Sequence, residues 1–234
     1  MTNVTAPITD STWAIITYEE SWETYINSYV IKQENTYVLI DSHLRKHRAY
    51  FQQALSEIGV GWEQIECVYY THRGADRIGN AELFPSRLNW IHLDDYYELD
   101  DFSQTLFGHT FTGSGGEFSA LKFRELSFFT EGSVAFFDPK TKICFAGGHL
   151  RFTRTPIGSI VGREEECRIA FREQIEQWAG KEPQRAEEYA DGLEQLLKWP
   201  MEYLAPGNGP ILAGEIAPFL RELIDVIRRQ VQKS

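Results

Sequence analysis

The segment THRGADRIGN, residues 71–80, places a histidine, an aspartate and an arginine within six positions of a polar turn. His72 offers a ring nitrogen and Asp76 a carboxylate, the two donor types that ligate a metal ion or move a proton. Arg77 offers neither, because a guanidinium has no lone pair to give and stays charged. The apolar run IECVYYTH (65–72) delivers this turn at its C-terminal end, where ligands gather in α/β sheets.

Other residues invite weaker chemical readings. His43 and His47 stand one helical turn apart, but Arg45, Lys46 and Arg48 surround them, which predicts a solvated helix face. His92 lies in an apolar run and reads as a core histidine, while His109 has no evident place. The stretch TGSGGEF (112–118) lacks the Lys-Ser/Thr of a phosphate loop and does not fit G-x-S-x-G, so a hairpin tip or flexible loop is expected. Cys67, Cys144 and Cys167 are too few and too scattered for a disulfide framework or a cysteine zinc site, and read as buried thiols.

These residues need a frame. YINSYVIKQ (25–33) and TYVLID (36–41) flank Glu34-Asn35 as a hairpin would, and helical spacing from Leu44 through Ile58 ends at Gly59. LNWIHL (88–93) continues the β-α-β rhythm. SVAFFD and KICFAG predict a second hairpin. Helices are predicted over 164–179, over 187–198 and from Ile216 onward, the last with an apolar stripe facing the core. At 234 residues the default is one domain spanning 1–234, with helices outside packed sheets. A net charge of −11 argues against nucleic acid, and no apolar run is long enough to cross a bilayer, so a cytoplasmic protein without a membrane role is expected.

NSYVI (27–31), VLIDS (38–42), YYTHRGADRIGNAELF, TEGSVAFFDPKTKICFAGGHL and YLAPGNGPI (203–211) resemble, in order and spacing, the successive signatures of the metallo-β-lactamase superfamily. The resemblance implies an α/β fold, a four-layer αββα sandwich, with a site along one edge. It also implies two metal ions held by H-x-H-x-D-H, a later histidine, a bridging aspartate and a final histidine, which activate a water for hydrolysis. On this chain His72 and Asp76 fill the first histidine and the aspartate. Gly74, Arg77, Phe129, Gly148 and Asn208 stand at the other five places.

A zinc site needs about three protein ligands and a water, so a zinc or iron pair is not expected. A guanidinium about 4 Å from a dication would add roughly 8 kcal/mol of repulsion at an effective dielectric near 20. Arg77 is instead expected to fill the vacated place and pair with Asp76. The resulting pocket comprises His72, Arg73, Asp76, Arg77, Phe129, Glu131, Gly148, His149 and Asn208, with Arg73 and Glu131 at its mouth. The expected function is binding of an unidentified small molecule, or regulation, by a non-hydrolytic member. The alternative is a hydrolase of an ester, lactone or thioester, with His72 as catalytic base or with one metal on His72, Asp76 and His149. For His149 the plainer expectation is a pocket-edge residue bonded to a carbonyl. A homodimer through the C-terminal helix or an uncovered sheet edge is left open.

Overall fold

β-Branched and aromatic residues crowd the first forty positions, and the computed structural model, which describes residues 3–118, 120–126 and 128–233, pairs them as strands. β1 (Asn3–Thr9), β2 (Thr12–Glu19), β3 (Thr24–Lys32) and β4 (Tyr37–Ile40) run antiparallel. The chain then crosses through α1 (Arg48–Ile58), which Gly59 ends at φ 87°, and returns as β5 (Ile65–Tyr69) parallel to β4. Short helices α2 (Ala75–Ile78), α3 (Leu93–Tyr97) and α4 (Asp101–Gln104) lie between β5, β6 (Asn89–His92) and β7 (His109–Phe111), which extend the parallel part.

The second half is an antiparallel meander of β8 (Gly115–Phe118), β9 (Leu121–Glu125), β10 (Val134–Asp138) and β11 (Ile143–Arg151). After β12 (Val161–Gly162) come α5 (Glu165–Ala179) and α6 (Pro183–Leu196), then β13 (Tyr203–Asn208), β14 (Ile211–Ala213) and α7 (Ile216–Val231). The strand order is β7-β6-β5-β4-β3-β13-β11-β10-β9-β8. Between β3 and β13 the register is a single pair, Asn208 opposite Ile26, and there the two halves meet.

Alternation along the strands sorts side chains into three cores. On β11, Ile143 and Phe145 join Tyr29, Ile31, Val38 and Phe136 between the two sheet halves. Cys144 and Ala146 face the other way, onto Phe171, Leu193, Leu220 and Leu223 of the C-terminal helices. Val30, Leu39 and Val68 face Phe51 and Leu55 of α1. Three apolar interfaces require four layers, so the fold is the αββα sandwich. The three cysteines are free and buried. Among the described residues no helix is long and apolar enough to cross a membrane.

Several boundaries differ from the sequence expectation. The first helix starts at Arg48, not Leu44, because His43 adopts φ 67° and residues 45–47 form a 3-10 turn. α6 starts four residues earlier than expected, at Pro183, whose missing N–H costs nothing in a first turn. TGSGGEF is not a hairpin tip: residues 112–114, with Gly113 at φ 95°, link β7 to β8, which lie at opposite ends of the strand order, and residues 115–118 are strand paired with β9.

Phe136 is fully buried, with ring centroids 5.5 Å from Tyr69 and 6.3 Å from Phe111. Phe136→Ala should cost about 3–5 kcal/mol of unfolding free energy, read as a lower urea midpoint with unchanged slope.

Candidate functional site

β4 and β5 end side by side, and their ends fix the loop that follows. Asp41 takes φ 62°, and its Oδ1 accepts the Thr71 N–H at 2.8 Å while Oδ2 accepts the Thr71 hydroxyl at 2.9 Å. The chain then turns into α2, which carries Asp76 and Arg77 inward.

Arg77 is completely buried. Its Nη2 donates to Asp76 Oδ2 at 2.8 Å and to Asn208 Oδ1 at 2.7 Å, and Nη1 donates to the Asn27 carbonyl at 2.9 Å. Asp41 Oδ2 lies 3.8 Å from Nη1. Position 207 must be glycine for this to pack: a β-carbon there would come within 2.6 Å of Nη2. Burial works to raise the Asp76 pKa, but the Arg77 charge outweighs it, with His72 and Arg151 adding, and the carboxyl is held below its usual range. Asp41 lies farther from the cation, so burial dominates and pushes it up to about 6.

His72 is 1% exposed. Burial and then the Arg77 charge push its pKa down to about 3, so the ring is neutral at neutral pH. The Thr71 hydroxyl, whose hydrogen is committed to Asp41, lies 3.3 Å from His72 Nδ1, which makes Nδ1 the donor of that contact. Nε2 is then the bare lone pair, buried without a protein partner. Gly74 and Gly148 bracket this ring. A β-carbon at 74 would meet His72 Nε2 at 2.6 Å and Asp76 Oδ1 at 2.8 Å; one at 148 would meet His72 Cε1 and Phe129 Cδ1, each at 2.9 Å. Phe129 packs edge-on to His72 with centroids 4.6 Å apart.

Asp95, on α3, organises the mouth. It accepts the Arg73 N–H and Nη1 at 2.8 Å each, the Thr130 hydroxyl at 2.9 Å and the Gly132 N–H at 3.2 Å. Arg73 also reaches exposed Glu131 at 3.5 Å. Sequence reasoning missed Asp95, and it missed Arg151, whose Cζ lies 5.1 Å from the Phe129 ring centroid. Neither residue belongs to a motif that would have singled it out.

The structure brings His72, Asp76, Arg77, Phe129, Gly148 and Asn208 together, but not His149. Being next to Gly148 on a strand, it faces the opposite side, where its ring stacks on Tyr189 at 4.6 Å and Nε2 donates to the Tyr189 carbonyl at 3.2 Å. The improvised triad of His72, Asp76 and His149 therefore does not assemble; His149 is bonded to a carbonyl as expected, but on the face of the strand away from His72. His43 corrects a second expectation. It is not on a solvated helix face but fully buried, with Nε2 2.6 Å from Thr17 Oγ1 and Nδ1 3.2 Å from Ser28 Oγ. His92 is a core residue, and exposed His109 stacks on Trp90 at 4.1 Å.

A family model for the metallo-β-lactamase superfamily matches residues 22–160, and the chain belongs to that superfamily. No curated protein matches it in sequence. Among solved structures, it resembles a mutant flavo di-iron protein from Thermotoga maritima at TM-score 0.79 and 17% identity, covering 96% of this chain and 62% of that one. A diflavin flavoprotein fragment from Nostoc sp. PCC 7120 matches at 0.75 and 16%, covering 99% and 98%, and the DIM-1 metallo-β-lactamase at 0.65 and 14%, covering 98% of each. At such identities the likeness is one of fold.

The superfamily implies a metal pair, which the donor set here does not fit. Among the described residues no three histidine, cysteine, aspartate or glutamate side chains converge as ligands. His72 Nε2 and Asp76 Oδ1 border one small gap at Gly74, two donors where a catalytic zinc takes about three.

Arg77→Met should leave Asp76 as an unmatched buried carboxylate and cost about 3–5 kcal/mol at pH 7. The Asp76→Asn/Arg77→Met double variant should cost less than the two single changes added together, in a double-mutant cycle of urea unfolding.

Burial also pushes His43, His72 and His149 down to about 3, 3 and 4, from 6.5. As pH falls below 6.5 the unfolded chain takes up protons that the folded one refuses, so stability drops by up to about 1.4 kcal/mol per pH unit for each histidine. Asp41 offsets part of this loss, since between 3.8 and about 6 the folded chain holds a proton that the unfolded chain releases. Urea midpoints should therefore fall clearly from pH 7.5 to 5; a flat profile would contradict the buried neutral histidines.

Proposed function

We propose that this chain is a non-hydrolytic binding or regulatory member of the metallo-β-lactamase superfamily, in which a buried guanidinium takes the place of the metal pair. The observation that carries this reading is Arg77 Nη2, bonded at once to Asp76 at 2.8 Å and Asn208 at 2.7 Å. The guanidinium gives Asp76 the positive neighbour that an ion would otherwise supply. A dication placed beside it would face a fixed like charge in a poorly solvated setting. The remaining function is recognition of a small molecule in a cavity beside this network, one that shares Phe129 and Gly148 with the site.

A hydrolase using His72 on an ester, lactone or thioester is the second reading, and the bare Nε2 lone pair favours it. Two features weigh against it. A pKa near 3 makes a feeble base at neutral pH, since general bases work best with values near the operating pH. The ring is also 1% exposed beside Phe129, which leaves little access for a substrate carbonyl.

Protein purified without chelators should carry well under one zinc or iron ion per chain by elemental analysis, and adding either metal should leave its melting temperature unchanged. About two ions per chain would sink the proposal. The hydrolase reading instead requires turnover of simple esters, lactones or thioesters that His72→Ala abolishes.

A further inference from the structure

Where β11 ends, a cavity of about 290 Å³ opens against α5 and α6. Phe128, Phe129, Ile175 and Trp178 wall it, Arg151 and Arg185 supply its charge, and among the described residues no carboxylate lines it. In a chain of net charge −11, this is a local reversal of sign.

Arg151 is the unusual member. Its Cζ lies 5.1 Å from the Phe129 ring centroid and 5.8 Å from that of Trp22. Among the described residues none forms an ion pair with it or accepts a hydrogen bond from its guanidinium. Ring faces attract the flat of a guanidinium and leave its in-plane N–H donors unused. Burial lowers the Arg151 pKa, the mark of a cation held partly out of water, while the nearby charge of Asp76 opposes the shift. Arg185 is more committed, with Cζ 5.1 Å from the Phe128 ring and Nη1 3.1 Å from Glu182 Oε2. The His149 ring also borders the cavity, and its Nδ1 is buried without a protein partner.

We infer that this cavity binds a small aryl or arylalkyl carboxylate, its carboxylate on the unpaired donors of Arg151 and its ring among Phe128, Phe129 and Trp178. This rests on the binding role proposed above and gives that role a ligand class. Two parallel N–H···O bonds from a guanidinium match a carboxylate's two oxygens, and aromatic walls favour offset or edge contacts with a ring. The volume lies at the lower limit of about 300 Å³ for ligand pockets, which suits one ring on a short chain.

The test is isothermal titration of the full chain, its metal content measured beforehand, with 3-phenylpropionate and with its uncharged counterpart 3-phenylpropan-1-ol. The acid should bind at least about tenfold more tightly than the alcohol, and Arg151→Gln should weaken the acid by about 10- to 100-fold, the worth of a charge-assisted hydrogen bond. Arg151→Lys, which keeps the charge but loses the fork, should fall between. Equal affinity for acid and alcohol, no binding of the acid, or undiminished binding by folded Arg151→Gln would each overturn the inference. If Arg151→Gln does not fold, the acid–alcohol comparison on the unaltered chain and the Arg151→Lys titration decide. Carboxylate binding by protein that carries two ions per chain would remove the proposed function alone; metal-free protein that ignores the acid would remove this inference alone.

Discussion

A full positive charge has been taken out of water at Arg77, and much of the local architecture follows from the need to match it. Its acceptors come from distant parts of the chain: Asp76 beside it, the Asn27 carbonyl on β3 and Asn208 at the end of β13, with Asp41 slightly farther away. β3 and β13 are also the strands at which the two halves of the sheet meet, through one residue pair. The guanidinium thus sits at the seam and ties it with charge-assisted bonds where the backbone ladder is thinnest. Removing any one acceptor leaves a donor stranded in a dry interior, a larger penalty than the bond itself is worth.

The same device recurs in a neutral version. Arg168 on α5 is 6% exposed and donates to the carbonyls of Ala213, Gly214 and Glu215, just before α7 begins. There the guanidinium gathers the backbone oxygens of the loop between β14 and α7. Arg77 and Arg168 find sets of oxygens, whereas Arg151 has ring faces as its direct contacts among the described residues.

Much of the frame was legible in the sequence. The β3–β4 and β10–β11 hairpins and the α7 stripe follow from period-2 and period-3.6 apolar patterns, which depend only on near neighbours. β1 was not legible: it contains Pro7, pairs on only one side and exposes much of its length, so no apolar alternation marks it. His43 was misplaced because its spacing from His47 imitates a helix turn, while its backbone is left-handed and its ring bonds to β2 and β3. At the site, adjacent opposite charges made an Asp76–Arg77 contact readable. The Asn27, Asn208 and Asp95 contacts were not, because they close loops of tens of residues that no local pattern announces.

Gly74 and Gly148 bear on whether such a site can be turned into a chelating one. Each lacks a β-carbon where one would run into an occupied position: His72 and Asp76 at the first, His72 and Phe129 at the second. A histidine at 74 or an aspartate at 148 would therefore have to displace a ring before it could offer a lone pair, and Phe129 is itself pinned between His72 and Arg151. Conversion by single replacements passes through overpacked intermediates, each worse than its parent.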